Sequence, residues 1–434
     1  WTQASPGHYH HTNYTHGNDP GSSCFDSGVN MGLFNAVRSG VDFWTGAYIA
    51  GVVGISFGGK QEAPSVGVMM MDNRGSTDDA FWVRGITEDL IIKVASSGNI
   101  RIPSIKEIVS VDISESWEKI ANQLNVKYIL TSSLYKDKDK FKLSSQLINT
   151  DTGVTEYANN WTESNDKVST IVTTLAEQML NIISPKTKFD KKETEVNSES
   201  YTYYMKGKSY AGKDSKYFDI SDKNLELARE LLSKAIALDS SNVDAQIQFS
   251  RSHYYHGNHE IALPILEKLV KYCEKTNQGK LLGRAYRNLG NILFDRWARG
   301  PGDYATIPSL DYYSKAAKIA KKHGDMLGYR YAMGNIVGKF STYYDSETSR
   351  DSAHFYADQM LELANKENNI ELEAWTYLDL ATYYYQTGEY YDISESSYYY
   401  KKAYELSLKL GTQIQSASLH GLFRIGFINM AFYD

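Results

Sequence analysis

The chain has 434 residues, with 46 Lys and Arg against 52 Asp and Glu, so its formal net charge is −6 with histidine neutral. A net-negative chain has no general electrostatic means of displacing counterions from phosphates, which argues against nucleic acid as its partner. Two cysteines, Cys24 and Cys273, exclude a disulfide framework and a cysteine-based zinc centre, and the length allows two or three domains.

Residues 1–42 read as an irregular arm rich in Gly, Ser, Asn and His without apolar periodicity. His8, His10, His11 and His16 crowd there. Imidazoles at this density can hold a divalent metal, but no carboxylate or cysteine stands at conventional ligand spacing, so the arm is read as polar and no cofactor is assigned. Cys24 in GSSC lacks the apolar residue that a lipid-attachment motif carries three places earlier. Trp1 in place of Met predicts a processed or truncated product.

Residues 43–63 contain the charge-free run FWTGAYIAGVVGISFGG, Phe43 to Gly59. At about 1.5 Å per residue it falls just short of the roughly 30 Å hydrocarbon core. Ala47 with Gly51, and Ala50 with Gly54 and Gly58, place small residues four apart, which lets helices approach closely. Two readings stand: one apolar helix that contacts or spans a membrane or packs in an assembly of copies, and a buried soluble segment.

From Pro64 to Ser184 short strands and helices alternate. Val66 to Met71 reads as a strand ending in the turn Asp72-Asn73-Arg74-Gly75. Phe81, Ile86, Leu90 and Val94 keep helical spacing, Ile100 to Pro103 reads as a second short strand, and Trp117, Ile120, Ala121 and Leu124 mark another helix. Val126 to Leu134 is an apolar strand. Lys136 to Lys140 is a solvated hairpin tip, and Phe141, Leu143, Ser145 and Leu147 alternate with polar residues. Asp151-Thr152-Gly153 then turns into a last strand through Val154, Glu156 and Ala158, and a helix over Val168 to Ile183 closes a mixed-sheet α+β domain. Asp72, Asp78, Asp79, Glu88 and Asp89 lie around the first strand end and helix start, where capping and solvation account for carboxylates. Motifs for serine hydrolysis, zinc proteolysis or a phosphate loop are missing, so no enzyme is expected and no catalytic residue is assigned.

Three stretches, GITEDLI (Gly85 to Ile91), LNVKYILTSSL (Leu124 to Leu134) and LSSQLINTDTGVTEYANNW (Leu143 to Trp161), resemble, in order, the signatures of the domain shared by the TolB amino-terminal region and FlgO-like proteins. The resemblance implies an extracytoplasmic protein-interaction domain of the bacterial cell envelope without catalytic residues. Such a domain often stands between a single membrane span and tetratricopeptide repeats, in signalling proteins that carry a cyclase, a winged helix or a kinase.

Residues 185–200 are polar and charged and read as a linker. Over 201–434, Ala228, Leu232 and Ala235 recur as Ala262, Leu266 and Leu269, each pair 34 residues apart, the period of a helix-turn-helix repeat. These stretches resemble tetratricopeptide repeats. Later units lengthen: Leu289-Gly290, Met333-Gly334, Leu380-Ala381 and Ile425-Gly426 lie 44, 47 and 45 residues apart, and five to six helix pairs forming an all-α superhelix are expected. Most of the 34 tyrosines fall here, as amphipathic rings between helices or as a stacking surface. His253, His256 and His259 read as turn and surface residues.

The tetratricopeptide resemblance implies that Arg284, Arg287, Asn288, Asn291, Asn335 and Lys339 face a groove. Arg287 and Asn291, four apart on one helical face, suit a carboxylate through charge-assisted hydrogen bonds. The expected function is a non-enzymatic, membrane-tethered or exported scaffold that binds a protein or peptide. The alternatives are a sensory ectodomain of a signalling protein, and a structural subunit that self-assembles through its amino-terminal segment.

Overall fold

The computed structural model describes residues 63–434 except 138–139, 188, 190–195, 213–221, 255–256, 300–307, 344–346, 387–391, 411 and 434. The arm with His8, His10, His11 and His16, and the apolar segment with Ala47, Ala50, Gly51, Gly54 and Gly58, lie outside the described residues. Among those described, no helix is long and apolar enough to cross a membrane.

The α/β part runs β1 (Val66–Val68), β2 (Asp72–Asn73), α1 (Ala80–Ala95), α2 (Ile105–Ser110), α3 (Trp117–Leu124), β3 (Tyr128–Lys136), β4 (Lys140–Asn149), β5 (Thr155–Ser164) and α4 (Val168–Ile183). Its sheet is mixed, in the order β1-β3-β4-β5, with β2 beside β3. Strands β1 and β2 run parallel to β3, and β3, β4 and β5 are antiparallel. Phe141, Leu143, Ser145 and Leu147 of β4 point into the core, as their alternation demands.

Two local readings are corrected. Val66 to Met71 is not one strand, since pairing with β3 breaks after Val68 and resumes at Asp72. Ile100 to Pro103 forms only one bridge, Arg101 to Ser65. Pro103 has no amide hydrogen to extend a ladder. The next residue, Ser104, caps α2 through a reciprocal capping box with Glu107, so the chain turns into a helix there.

Eleven helices follow among the described residues: α5 (Ser198–Gly212), α6 (Asp222–Leu238), α7 (Val243–Tyr254), α8 (His259–Thr276), α9 (Gly279–Arg299), α10 (Pro308–Lys322), α11 (Met326–Tyr343), α12 (Glu347–Glu367), α13 (Ile370–Gln386), α14 (Ile393–Ser407) and α15 (Thr412–Tyr433). Each packs on the next, and α7, α9, α11, α13 and α15 also touch in series. The recurring Ala228, Leu232 and Ala235 of α6 and Ala262, Leu266 and Leu269 of α8 are all fully buried. The small member of the Leu-Gly pair on α9 has a steric cause: a Cβ at Gly290 would sit 2.7 Å from a ring carbon of Tyr313, a fully buried residue of α10.

The stretch read as a linker contributes to the core. Phe189 and Val196 pack against a cluster in which Trp82 and Ile86 of α1 meet Tyr201, Tyr204 and Met205 of α5 and Leu232 of α6. Helix α5 begins at Ser198, inside that stretch. The Tyr201 hydroxyl donates to the buried Asp89 carboxylate at 2.7 Å, so Asp89 joins the two parts and is not a solvated residue of the first helix. A second contact lies far along the chain. Asn99 Nδ2 donates to the Glu367 carbonyl at 2.7 Å and Asn369 Nδ2 to Asn99 Oδ1 at 2.7 Å, while the Arg101 guanidinium donates to the carbonyls of Asn125 and Leu410.

Because Trp82 lies in a core common to both parts, Trp82→Ala is expected to cost about 3–5 kcal/mol and to lower the stability of sheet and helices together. Denaturant unfolding followed by near- and far-ultraviolet circular dichroism checks this, and loss of the α/β signal alone, with the helical midpoint unmoved, contradicts it.

Candidate functional site

The two contacts between α/β part and array enclose a cavity of about 490 Å³. Its array wall is built by Arg251 of α7, Arg284, Arg287, Asn288 and Asn291 of α9, Arg330, Tyr331 and Asn335 of α11, and Glu371 and Trp375 of α13. Opposite stand Ile91 and Ile92 of α1, the segment from Arg101 to Glu107, and Lys208 of α5, with Leu410 and Ile414 at one side. The expected groove residues Arg284, Arg287, Asn288, Asn291 and Asn335 therefore come together, facing the chain's own α/β part.

Lys339 does not join them. It is 2% exposed, and its Nζ lies 3.7 Å from the Phe294 ring centroid. It stands one helical turn past Asn335 on the same face, but its ammonium is held over the Phe294 ring of α9 instead of reaching the cavity.

Most polar groups of the cavity hold each other. Arg284 pairs with Asp244 at 2.5 Å, and Lys208 with Glu88 at 3.0 Å. Burial works to raise both carboxyls, yet Arg284 at Asp244 and Lys208 with Arg84 at Glu88 outweigh it and hold each below its ordinary range. Asn288 Nδ2 donates to the Arg284 carbonyl at 2.8 Å. Asn291 Oδ1 accepts from the Tyr313 hydroxyl at 2.7 Å and from Asn335 Nδ2 at 3.2 Å, which ties α9, α10 and α11 together. The Asn291 carbonyl oxygen is thus committed between helices, and a carboxylate, itself an acceptor, would call on the Asn291 Nδ2 donor.

Arg287 and Arg330 differ from these. Neither forms an ion pair or a side-chain hydrogen bond among the described residues, and the buried Arg330 Nε has no partner. The Arg287 guanidinium carbon lies 4.8 Å from the Tyr331 ring centroid, and that of Arg330 lies 4.1 Å from Tyr331 and 4.2 Å from Trp375. Aromatic faces accept guanidinium groups in this way without neutralising them. Burial first, with the like charges of Arg284 and Arg251, pushes Arg287 down to about 10 against the opposing pull of Tyr331 and the buried Asp325, so it stays cationic at neutral pH.

Two acids lie near Arg330. Burial raises Glu371, against the opposing pull of Arg101 and Arg330. Burial also pushes Asp379 up to about 7, only partly offset by Arg330. Asp379 stands on the Gly334 backbone, where a Cβ would come within 2.7 Å of its Oδ2, so the glycine of that pair makes room for a carboxyl. Arg330, Tyr331, Trp375 and Asp379 were not among the expected groove residues.

Elsewhere the tyrosines pack between helices. Tyr384 and Tyr399 stack at 5.7 Å, and Tyr377 and Tyr399 at 6.1 Å. His259 is buried and stacks on Tyr254 at 5.6 Å, so it is not a surface residue; His256 lies outside the described residues. Among the described residues no group of His, Cys, Asp or Glu is placed to hold a metal ion.

No family model matches the chain, and no curated protein matches it. Among solved structures, TolB from Acinetobacter baumannii is similar over 30% of this chain and 30% of its own length, with 10% identity and a TM-score of 0.24. A PelC dodecamer from Paraburkholderia phytofirmans matches over 30% of this chain and 95% of its own, at 15% identity and a TM-score of 0.21. The LpoB C-terminal domain from Salmonella enterica matches over 27% and 96%, at 18% identity and a TM-score of 0.19. The chain spans about a third of TolB, with 30% of it covered.

Asp379 gives a pH test. Its folded pKa is raised from 3.8 to about 7, so its favourable contribution is complete below about pH 4 and is lost as pH rises through 7. Asp379→Asn is therefore expected to be more stable than the parent at pH 8, by up to about 4 kcal/mol, with the difference vanishing near pH 4. Thermal melts from pH 4 to 8 read this directly; a difference independent of pH contradicts it.

Proposed function

We propose that this chain is a non-enzymatic binding protein of the bacterial cell envelope, acting outside the cytoplasm. In this reading its tetratricopeptide-type superhelical array binds a carboxylate-bearing segment of a protein or peptide partner. The observation that carries the proposal is the pair Arg287 and Arg330, two guanidinium groups on one cavity wall with no ion pair among the described residues. Retaining half-buried cations without an ion pair carries a desolvation cost, and an anionic partner offsets it by charge-assisted hydrogen bonding. The envelope location rests on the three TolB and FlgO-like stretches in the sequence.

The sensory-ectodomain reading has support of its own. Both parts of the chain wall the cavity, so an occupant touches the α/β part and the array together and biases their relation. Self-assembly or membrane contact through residues 43–59 is a property of the amino-terminal segment and is independent of the cavity.

Isothermal titration with a peptide whose free carboxyl terminus is its only anionic group tests the proposal. Arg330→Gln is expected to weaken binding by about 1.5–3 kcal/mol, the range of a hydrogen bond to a charged group, and Arg287→Gln to act in the same direction. Equal affinity for parent and both variants sets the proposal aside.

A further inference from the structure

The cavity is more selective than a cationic strip. Its charges and its apolar surface are contributed by different elements. The unpaired guanidinium groups come from α9 and α11. Around them are the Trp375 ring, Leu410 and Ile414 from the array side, and Ile91, Ile92 and Ile102 from the α/β side. An anion hydrogen-bonded only to Arg287 and Arg330 would leave this apolar surface wet. An occupant that also carries a hydrocarbon or aromatic body would cover it, gaining roughly 25 cal/mol for each Å² removed from water. A volume of about 490 Å³ lies in the range of small-ligand pockets, roughly 300–1,000 Å³.

We propose that the occupant is an amphipathic monoanion, whose carboxylate sits at Arg287 and Arg330 while its apolar body lies between Trp375 and the isoleucines of the α/β part. This deepens the function proposed above and rests on the same cavity. The neighbouring acids favour one negative charge over several: Glu371 and Asp379 lie close enough to Arg330 to feel its charge, Asp325 lies likewise near Arg287, and Asp325 and Glu107 both line the cavity. A multiply charged ligand would meet these carboxyls. Two sources supply such a group, the carboxyl end of a chain that terminates in an apolar residue and a free small carboxylate.

Isothermal titration on the full chain distinguishes them, using octanoate, acetate, a peptide ending in leucine with a free or an amidated carboxyl, and a Glu-rich peptide blocked at both ends. Octanoate is expected to bind at least tenfold more tightly than acetate. Arg287→Gln and Arg330→Gln are each expected to weaken octanoate at least tenfold. Ile92→Gln, from the α/β wall, is expected to weaken octanoate and leave acetate unchanged; Leu410→Gln repeats that test from the array side should Ile92→Gln lose its circular-dichroism signature. Tight binding of the free but not the amidated peptide assigns a chain end, and octanoate binding without any peptide assigns a small carboxylate and overturns the peptide reading alone. Equal affinity for acetate and octanoate overturns the amphipathic assignment. Arginine-dependent binding of the blocked peptide without octanoate binding overturns it too, while the broader function stands. No binding in any arm overturns both.

Discussion

The burial of Trp82 of α1 against Tyr201 of α5, ring centroids 6.2 Å apart, underlies the rest of the structure. It makes one core out of elements that a sequence reading separates by a polar connector. With Met205 and Leu232 in the same cluster, the first helices of the array share one core with the sheet domain. The buried Asp89 fixes their relative rotation, because its carboxylate away from water needs the Tyr201 hydroxyl at one place only. The same contact pushes the Tyr201 phenol far above its usual range, burial first and the Asp89 charge second.

Once α1 and α5 are fixed, the charges in the cavity have two ways of being tolerated. Arg284 and Lys208 meet carboxylates directly, and their local field closes on itself. Arg287 and Arg330 lean on π faces, which attract a cation without cancelling its charge. The array thus leaves positive potential concentrated on one side of the cavity, although the chain as a whole is net negative. Net charge reports on solubility and non-specific partners, not on a pocket whose residues are drawn from nine separate helices and the connections between them.

What the sequence disclosed followed from periodicity. The alternation in β4, the spacing in α1, and the 34-residue recurrence in α6 and α8 each report a face that must be buried, and each lands on the core. Five of the six groove positions also line the cavity, since register along a helix carries over from one unit to the next. What stayed hidden depends on contacts between distant residues. Arg330 stands two places before Ala332, whereas Arg287 stands one place before Asn288, so a repeat alignment that matches Asn288 with Ala332 passes over it. Phe189 and Val196 looked too isolated to mark a buried stretch. The α/β roof over the groove leaves no trace in composition, because Asn99 and Arg101 bind backbone carbonyls, which every residue offers.

That roof has a consequence for the order in which the molecule is made. Its contacts join Asn99 to Glu367 and Arg101 to Leu410, residues 268 and 309 apart, whereas each helix of the array packs on its immediate neighbour. Local pairings close with little loss of chain entropy, and contacts across most of a chain close late. On a ribosome the sheet domain and α5 can assemble long before α13 and α14 have emerged. The cavity therefore closes only after Leu410 has been made, and a nascent chain that stops short of it leaves the arginine wall without that contact.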